Sequence, residues 1–367
     1  MTQTLPEGRI SQLRARLDTE GVDALLVSAS SNIRYLTGFT GSNGRVVVTK
    51  SAVTLITDAR YEARAVDESA VVRDDVGVDI DVAIAPGAGE SELIRRLVEA
   101  GEIGLEADHL SWSTAQRLSD LLSADRVRPT TGIVESLRER KSESEIGLMR
   151  RAAAIADEAL ALVISSGIEG MSERAVQRVL DQRALELGAD GASFDTIVAS
   201  GPNGARPHHE AGDRVLAAGD LVIIDFGAEV AGYRSDMTRS FVLGEPTAQQ
   251  RQMLDAVEVS QRAGVDAVRA GLATSEIDST CRSALAEYDL ADYFVHGTGH
   301  GVGLDIHEAP SVSSTSTATL APGHVITVEP GVYIPNVGGV RWEDTVLVTA
   351  AGAEALTGSP KQPIIEL

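Results

Sequence analysis

Short β-branched runs alternate with amphipathic stretches over the first third of the chain. Ala24 to Val27, Arg45 to Thr49, Val53 to Thr57 and Ile103 to Glu106 are apolar runs of strand length, whereas Ser91 to Ala100 and Ser113 to Leu122 carry their apolar positions at helical spacing. That alternation predicts a small α/β domain. From Glu135 to Lys141 (Glu-Ser-Leu-Arg-Glu-Arg-Lys) charge is dense and apolar periodicity is lost, which predicts a connector. A helix is predicted from Ser142, because Ser142-Glu143-Ser144-Glu145 fits a capping box and Ile146, Met149, Ala153 and Ala156 lie along one face. Two domains are therefore expected, residues 1–134 and 143–367, joined by a linker at 135–142.

Beyond the boundary the pattern predicts helices near Glu173 to Glu186 and across Gln249 to Arg269. Strands are predicted at Thr196 to Ala199, Asp220 to Phe226, Arg234 to Val242, Val325 to Val328 and Thr345 to Thr349. A length of 367 residues exceeds one ordinary core, and a hydrophobic content of 43% is enough to fill two.

Candidate chemistry sits where these strands end. Asp225 follows the apolar run Leu221-Val222-Ile223-Ile224, a position where a carboxylate is costly unless paired or coordinated. Glycines at 227 and 232 bracket a turn, so a hairpin would bring Asp225 and Asp236 to one point. From His296 to Glu308 three histidines (His296, His300, His307) stand among four alternating glycines, which argues for a loop where backbone approaches a bound group. No window there satisfies the dinucleotide spacing G-x-G-x-x-G. Glu329 follows Val325-Ile326-Thr327-Val328, and Glu343 precedes the last predicted strand.

Asp225, Asp236, His300, Glu329 and Glu343 together offer four carboxylates and one imidazole, enough for two adjacent divalent ions. A zinc-binding H-E-x-x-H helix, a phosphate loop, a serine nucleophile elbow and an EF-hand are all absent from the sequence. Metal-assisted hydrolysis is the chemistry that remains. Carboxylate excess favours a hard ion such as Mn²⁺, with Co²⁺ or Zn²⁺ as alternatives.

A formal charge of −22 disfavours nucleic acid and anionic membrane surfaces, both of which need a cationic face. The same charge attracts cations, whether metal ions or a substrate amine. Cys281 is the single cysteine, so no internal disulfide can form, which fits a reducing cytoplasm. The first nine residues lack the apolar core of a secretory signal, and no apolar run reaches membrane-spanning length. A soluble cytoplasmic protein is expected.

With these residues in view, the chain resembles the pita-bread metallopeptidases, in their Xaa-Pro branch of aminopeptidase P and prolidase. Ala199-Ser200-Gly201-Pro202-Asn203, Pro207-His208 and the five ligand segments carry the likeness. Asn32-Ile33-Arg34-Tyr35-Leu36-Thr37-Gly38-Phe39 resembles part of the creatinase/prolidase N-terminal domain. The resemblance implies an α/β N-terminal domain before an α+β pita-bread catalytic domain, and cleavage of the N-terminal Xaa-Pro bond of di- or oligopeptides. It implies that Asp225 binds one metal, that Asp236 and Glu343 bridge both, and that His300 and Glu329 complete the second. Two ions about 3.5–4 Å apart would share a water and make it a hydroxide nucleophile at neutral pH.

In the same comparison Glu329 would accept the proton, while His208 and His307 would polarise the scissile carbonyl. His296 would line the substrate site, Arg341 would hold a substrate carboxylate or carbonyl, and a homodimer is implied. Trp342 and His209 depart from the family pattern, the first threatening the wall beside the metals and the second blurring which histidine faces substrate. Two alternatives share the architecture: a metal-independent creatinase-like amidinohydrolase and a non-catalytic binding module. Neither needs all five ligands.

Overall fold

The computed structural model describes residues 8–71, 77–85, 87, 89–98 and 101–365. Residues 99 and 100, the expected end of one helix, lie outside the described residues, as do residues 1–7 of the segment that lacks a signal-like core. The chain divides into two compact units, Met1–Arg138 and Glu139–Leu367. No helix among the described residues is long and apolar enough to cross a membrane.

In the first unit the four predicted strands form with the predicted bounds inside a six-stranded mixed sheet. Its order is Asp81–Ile84, Val53–Thr57, Arg45–Thr49, Ala24–Val27, Ile103–Glu106, Val127–Thr130. Ala24–Val27 runs antiparallel to Arg45–Thr49 and parallel to Ile103–Glu106, and all four of its residues are buried. An uninterrupted apolar run suits a strand buried on both faces. The helix Ser30–Thr37 ends at Gly38, whose φ of 71° closes it with a bond from its N–H to the Arg34 carbonyl.

Within that helix Asn32 is fully buried, its amide donating to Glu106 at 2.7 Å and to Glu135 at 2.6 Å. Arg138 donates to the Asn32 Oδ1 at 2.7 Å. Glu135–Arg138, predicted as part of an irregular connector, is thus a short helix with Leu137 and Arg138 buried. Its charges are partners in a network rather than a solvated run.

The second unit starts with the predicted helix, Glu143–Ser165. Glu145 N–H donates to Ser142 Oγ at 3.4 Å, and Ser142 N–H donates to Glu145 Oε2 at 2.7 Å, so the capping box is made in both directions. This helix and Glu173–Glu186 share a core with the four-stranded sheet of Ile364–Ile365, Met237–Leu243, Leu221–Phe226 and Ile197–Ser200. A second core joins helices Ala248–Ala267 and Thr274–Ala286 to a five-stranded sheet and to the hairpin Gly331–Ile334/Gly338–Arg341. That sheet runs Glu308–Val312, Gly299–Gly301, Val325–Val328, Asp344–Val348, Ala353–Ala355.

The predicted strand from Arg234 to Val242 is two strands, Tyr233–Arg234 and Met237–Leu243, broken at Ser235-Asp236. Ala228–Val230 pairs with Tyr233–Arg234 around Ala231 and Gly232, whose φ values of 48° and 83° suit a two-residue hairpin turn. Asp225 pairs in register with Thr238, so the hairpin carries Asp236 back beside it.

Candidate metal centre and active site

Every residue named from sequence for the site lines a single cavity of about 510 Å³ in the second unit. The elements responsible are far apart in sequence. Asp225 comes from a central strand, Asp236 from the break after the hairpin, His300 from Gly299–Gly301, Glu329 from the end of Val325–Val328, and Glu343 from the link between Gly338–Arg341 and Asp344–Val348.

Asp236, His300 and Glu343 each present a ligand atom, all within 4.8 Å of one another. His300 Nε2 lies 3.5 Å from Asp236 Oδ2 and 3.4 Å from Glu329 Oε1. Its Nδ1 is 3.0 Å from the Gly301 carbonyl, which only accepts, so Nδ1 carries the hydrogen and the Nε2 lone pair faces the same space as the carboxylate oxygens, where a cation would accept from both. Burial lowers the pKa of this imidazole, which favours the neutral, ligating form.

Carboxylates crowd the cavity. Burial, then Glu343, Asp225 and Glu329, push Asp236 well above the usual carboxylate range. Burial, then Glu329 and Asp225, do the same to Glu343. Glu329 is pushed up to about 8 by burial, with Arg341 opposing the shift and Asp225 adding to it. Asp225 Oδ1 is buried without a hydrogen-bond partner among the described residues. Buried carboxylates held so close, with an orphaned oxygen and an imidazole lone pair aimed at them, fit divalent cations and fit little else.

Arg341 is the countercharge inside the cluster and is only 2% exposed. Its Nη2 donates to Asp225 Oδ2 at 2.6 Å, its Nε to Thr238 Oγ1 at 2.9 Å, and its Nη1 to Tyr333 Oη at 2.8 Å and to the Pro207 carbonyl at 3.3 Å. Four of its five N–H donors therefore face inward, and a hold on substrate, expected from sequence, is left with one. Burial would lower its pKa, but Tyr333, Asp225, Glu329 and Glu343 outweigh that and raise it. Thr238 passes the contact on, donating from Oγ1 to Glu343 Oε2 at 2.7 Å.

His296 has both ring nitrogens engaged, Nδ1 at 2.7 Å from the Gly297 carbonyl and Nε2 at 2.9 Å from Tyr333 Oη. Burial, with Arg341 nearby, lowers its pKa to about 4, so it stays neutral as a fixed wall. His307 packs edge-on against His300 with ring centroids 4.4 Å apart. Burial, then His300 and His208, lower its pKa too.

Two departures from the family pattern find their places. His209 Nε2 is 2.8 Å from Glu173 Oε2, which leaves His208 as the member of the pair lining the cavity. Trp342 is fully buried in the core that also takes in Met253, Leu254 and Val257, and it is not among the residues lining the cavity. Gly299 also admits a neighbouring strand: a Cβ there would sit 2.1 Å from the Thr327 carbonyl oxygen, while Gly297 and Gly299 themselves line the cavity. Thr238 and Tyr333 carry no local signal in the sequence, because their roles depend on partners distant along the chain.

Comparison with known proteins supplies the family. Residues 147–350 match the family described as metallopeptidase family M24, and residues 9–140 match the creatinase/prolidase N-terminal domain. An Xaa-Pro dipeptidase of Pyrococcus horikoshii is 33% identical over 97% of this chain and 98% of its own length. The structure of an Xaa-Pro dipeptidase from Bacillus anthracis superposes with a TM-score of 0.92 at 38% identity, covering 98% of this chain and 99% of that one. An X-Pro aminopeptidase from Thermotoga maritima superposes at 0.86 with 30% identity, covering 96% and 100%. The chain belongs to metallopeptidase family M24, with a creatinase/prolidase-type domain ahead of its catalytic domain.

Proposed function

We propose that this protein is a divalent-metal-dependent peptidase that cleaves Xaa-Pro dipeptides between the N-terminal residue and proline. The observation that carries the reading is the convergence of Asp236, His300 and Glu343 within 4.8 Å, inside a cavity that also holds Glu329, His208 and His307. Dipeptides are favoured over longer peptides because the dipeptidase likeness, 38% identity at a TM-score of 0.92, exceeds the aminopeptidase likeness, 30% at 0.86. A creatinase-like amidinohydrolase or a binding module gains no support, since either leaves the buried carboxylates without a purpose.

Asp225, Asp236, His300, Glu329 and Glu343 would hold two ions, and the hardness of the oxygen set favours Mn²⁺. Bound there, the ions would supply Lewis acidity and a nucleophile at neutral pH. Glu329, through its carboxylate oxygens, accepts the proton of the attacking water. His208 and His307 direct ring N–H groups at the carbonyl oxygen of the scissile bond as negative charge develops on it. Phe194, Ile197, Pro207 and Ile306 give the cavity an apolar wall for the pyrrolidine ring. Proline's nitrogen has no hydrogen to donate, so shape and apolar contact must recognise it.

Incubating the Mn²⁺-loaded protein with Gly-Pro and with Gly-Pro-Ala tests the proposal. Release of proline from Gly-Pro at a kcat/KM at least about tenfold above that for the tripeptide is expected, a difference of about 1.4 kcal/mol in transition-state binding. Preference for Gly-Pro-Ala would make it an aminopeptidase, and inactivity on both would defeat the reading.

Metal removal should show its own pH dependence. Glu329 in the metal-free protein titrates at about 8, above its unfolded value of about 4.3, so the folded chain keeps a proton that the unfolded chain has lost. Stability of the stripped protein therefore falls as pH rises from about 4.5 through about 8. Metal binding displaces such protons and removes the loss. The gap in Tm between Mn²⁺-loaded and chelator-stripped protein is expected to widen from pH 5.5 to pH 8; a constant gap would separate these carboxylates from the metal.

A further inference from the structure

Glu173 opens the helix Glu173–Glu186 and lies outside the cavity lining, yet it is fully buried and collects more hydrogen bonds than a helix-terminal carboxylate needs. Its Oε1 accepts from Ser200 N–H at 2.8 Å, from Ser200 Oγ at 2.7 Å and from Asn203 Nδ2 at 3.0 Å. Its Oε2 accepts from His209 Nε2 at 2.8 Å and from Gly212 N–H at 3.1 Å. Burial alone would raise its pKa, but the bonds from Asn203, His209 and Ser200 outweigh that and lower it, so the group is an ionised, acceptor-only hub.

The donors are not scattered. Ser200 and Asn203 stand at one end of residues 200–212, His209 and Gly212 at the other, and Pro207-His208 lies between them on the cavity wall. The same helix holds the neighbouring lip: Gln177 Nε2 donates to the Thr196 carbonyl at 2.9 Å, and Thr196 Oγ1 donates to Asp181 at 2.6 Å. Glu173, Gln177 and Asp181 follow one another at four-residue spacing, which puts them on one helix face. Phe194, Asp195 and Ile197, beside the held Thr196, also line the cavity.

We propose that Glu173 is a positioning residue for the peptidase reaction: by clamping both ends of residues 200–212 from behind, it sets the place of the His208 ring opposite the carboxylate cluster. The inference rests on the reading of His208 as the histidine that faces substrate. Glu173 touches neither substrate nor metal ligands and acts through the loop. Replacing one carboxylate oxygen by an amide turns a donor either toward the His209 and Gly212 N–H groups or toward the Ser200 and Asn203 donors, so part of the clamp must open.

The test uses full-length Glu173→Gln, His208→Ala and the double variant, each loaded with Mn²⁺ and given Gly-Pro. A misplacement of about 1 Å caused from outside the reacting groups can cost about 100-fold, and a loss of up to that size is expected in kcat, with KM within about threefold and metal content unchanged. In the His208→Ala background Glu173→Gln should cost less than about twofold further, because residues acting through one group are not additive. Wild-type kcat in Glu173→Gln, or a full multiplicative loss in the double variant, overturns the proposal.

Imidazole NMR gives a readout independent of turnover. The chain has seven histidines, and His208→Ala and His209→Ala assign the two signals concerned. Glu173→Gln should move both while leaving His324 in place, and an unmoved His208 signal overturns the proposal even if Gly-Pro proves not to be a substrate. Should Glu173→Gln fail to fold, His209→Phe, which removes one donor and keeps the carboxylate, should move the His208 signal and lower kcat in the same direction.

Discussion

Asp236→Ala is expected to lose metal and turnover together, with Gly-Pro hydrolysis falling by more than about 1000-fold, since changes behind a ligand already cost about 10–100-fold. Its effect on the metal-free protein should have the opposite sign. Asp236 is buried among Glu343, Asp225 and Glu329, whose charges, after burial itself, push its pKa well up. Removing one carboxylate from that crowd relieves repulsion that only cations or protons otherwise relieve. The isosteric Asp236→Asn should therefore melt at or above the temperature of stripped wild type, while Mn²⁺ no longer raises its Tm. Near-normal hydrolysis by Asp236→Ala would refute its assignment as a ligand, and a destabilised metal-free Asp236→Asn would make the side chain a structural one.

The opposite signs follow from how the centre is balanced. Arg341 supplies one positive charge to four carboxylates and is tied through Asp225, Thr238 and Tyr333. Buried ion pairs of this sort add little net stability, because desolvation offsets attraction. Their worth here is positional. Arg341 fixes one Asp225 oxygen and leaves the other without a partner among the described residues, and Thr238 fixes one Glu343 oxygen. The centre is thus held in shape by neutral and cationic donors that do not saturate it.

Local pattern made part of this legible. Four strands of the first sheet, the capping box at Ser142 and the meeting of Asp225 with Asp236 depend on short-range signals: apolar runs, a four-residue cap motif, glycines around a turn. In the helix Thr274–Ala286 Ile277, Cys281 and Leu285 form a buried stripe at four-residue spacing that the local pattern does not reveal. Serines and threonines between them mask the pattern, as such residues read as loop. Glu135–Arg138 has the local look of a connector because its charges find their partners over 100 residues away, at Asn32. Asp225 and Arg341 are 116 residues apart, and Glu173 reaches donors 27 to 39 residues on. A glutamate in a first helical turn looks like an ordinary helix-dipole charge until the fold supplies those donors.

The second large effect is expected from a single methyl group. A Cβ on Gly227 would lie 1.9 Å from the Ser235 carbonyl oxygen, 2.7 Å from its carbon and 2.9 Å from Ser193 Cβ. The closest two are backbone atoms, so no rotamer change can relieve them. Ser235 is bonded to Ala228 in both directions, by Ser235 N–H to the Ala228 carbonyl and by Ala228 N–H to Ser235 Oγ, each at 3.0 Å. The strand break carrying Asp236 must therefore move away from Asp225. Overpacking typically costs about 1–3 kcal/mol, occasionally more, which for a domain of this size corresponds to a Tm lower by about 2–12 °C. Gly227→Ala should also lose Mn²⁺ affinity and Gly-Pro turnover, because the displaced residue is a candidate ligand. Gly147→Ala is the control: it lies inside the helix Glu143–Ser165 with nothing within 4 Å of an added Cβ. There the same methyl should stabilise by about 0.5–1 kcal/mol through helix propensity. Equal effects of the two substitutions, read by thermal melts and metal titration, would show that the close approach at Gly227 is not what holds the two aspartates together.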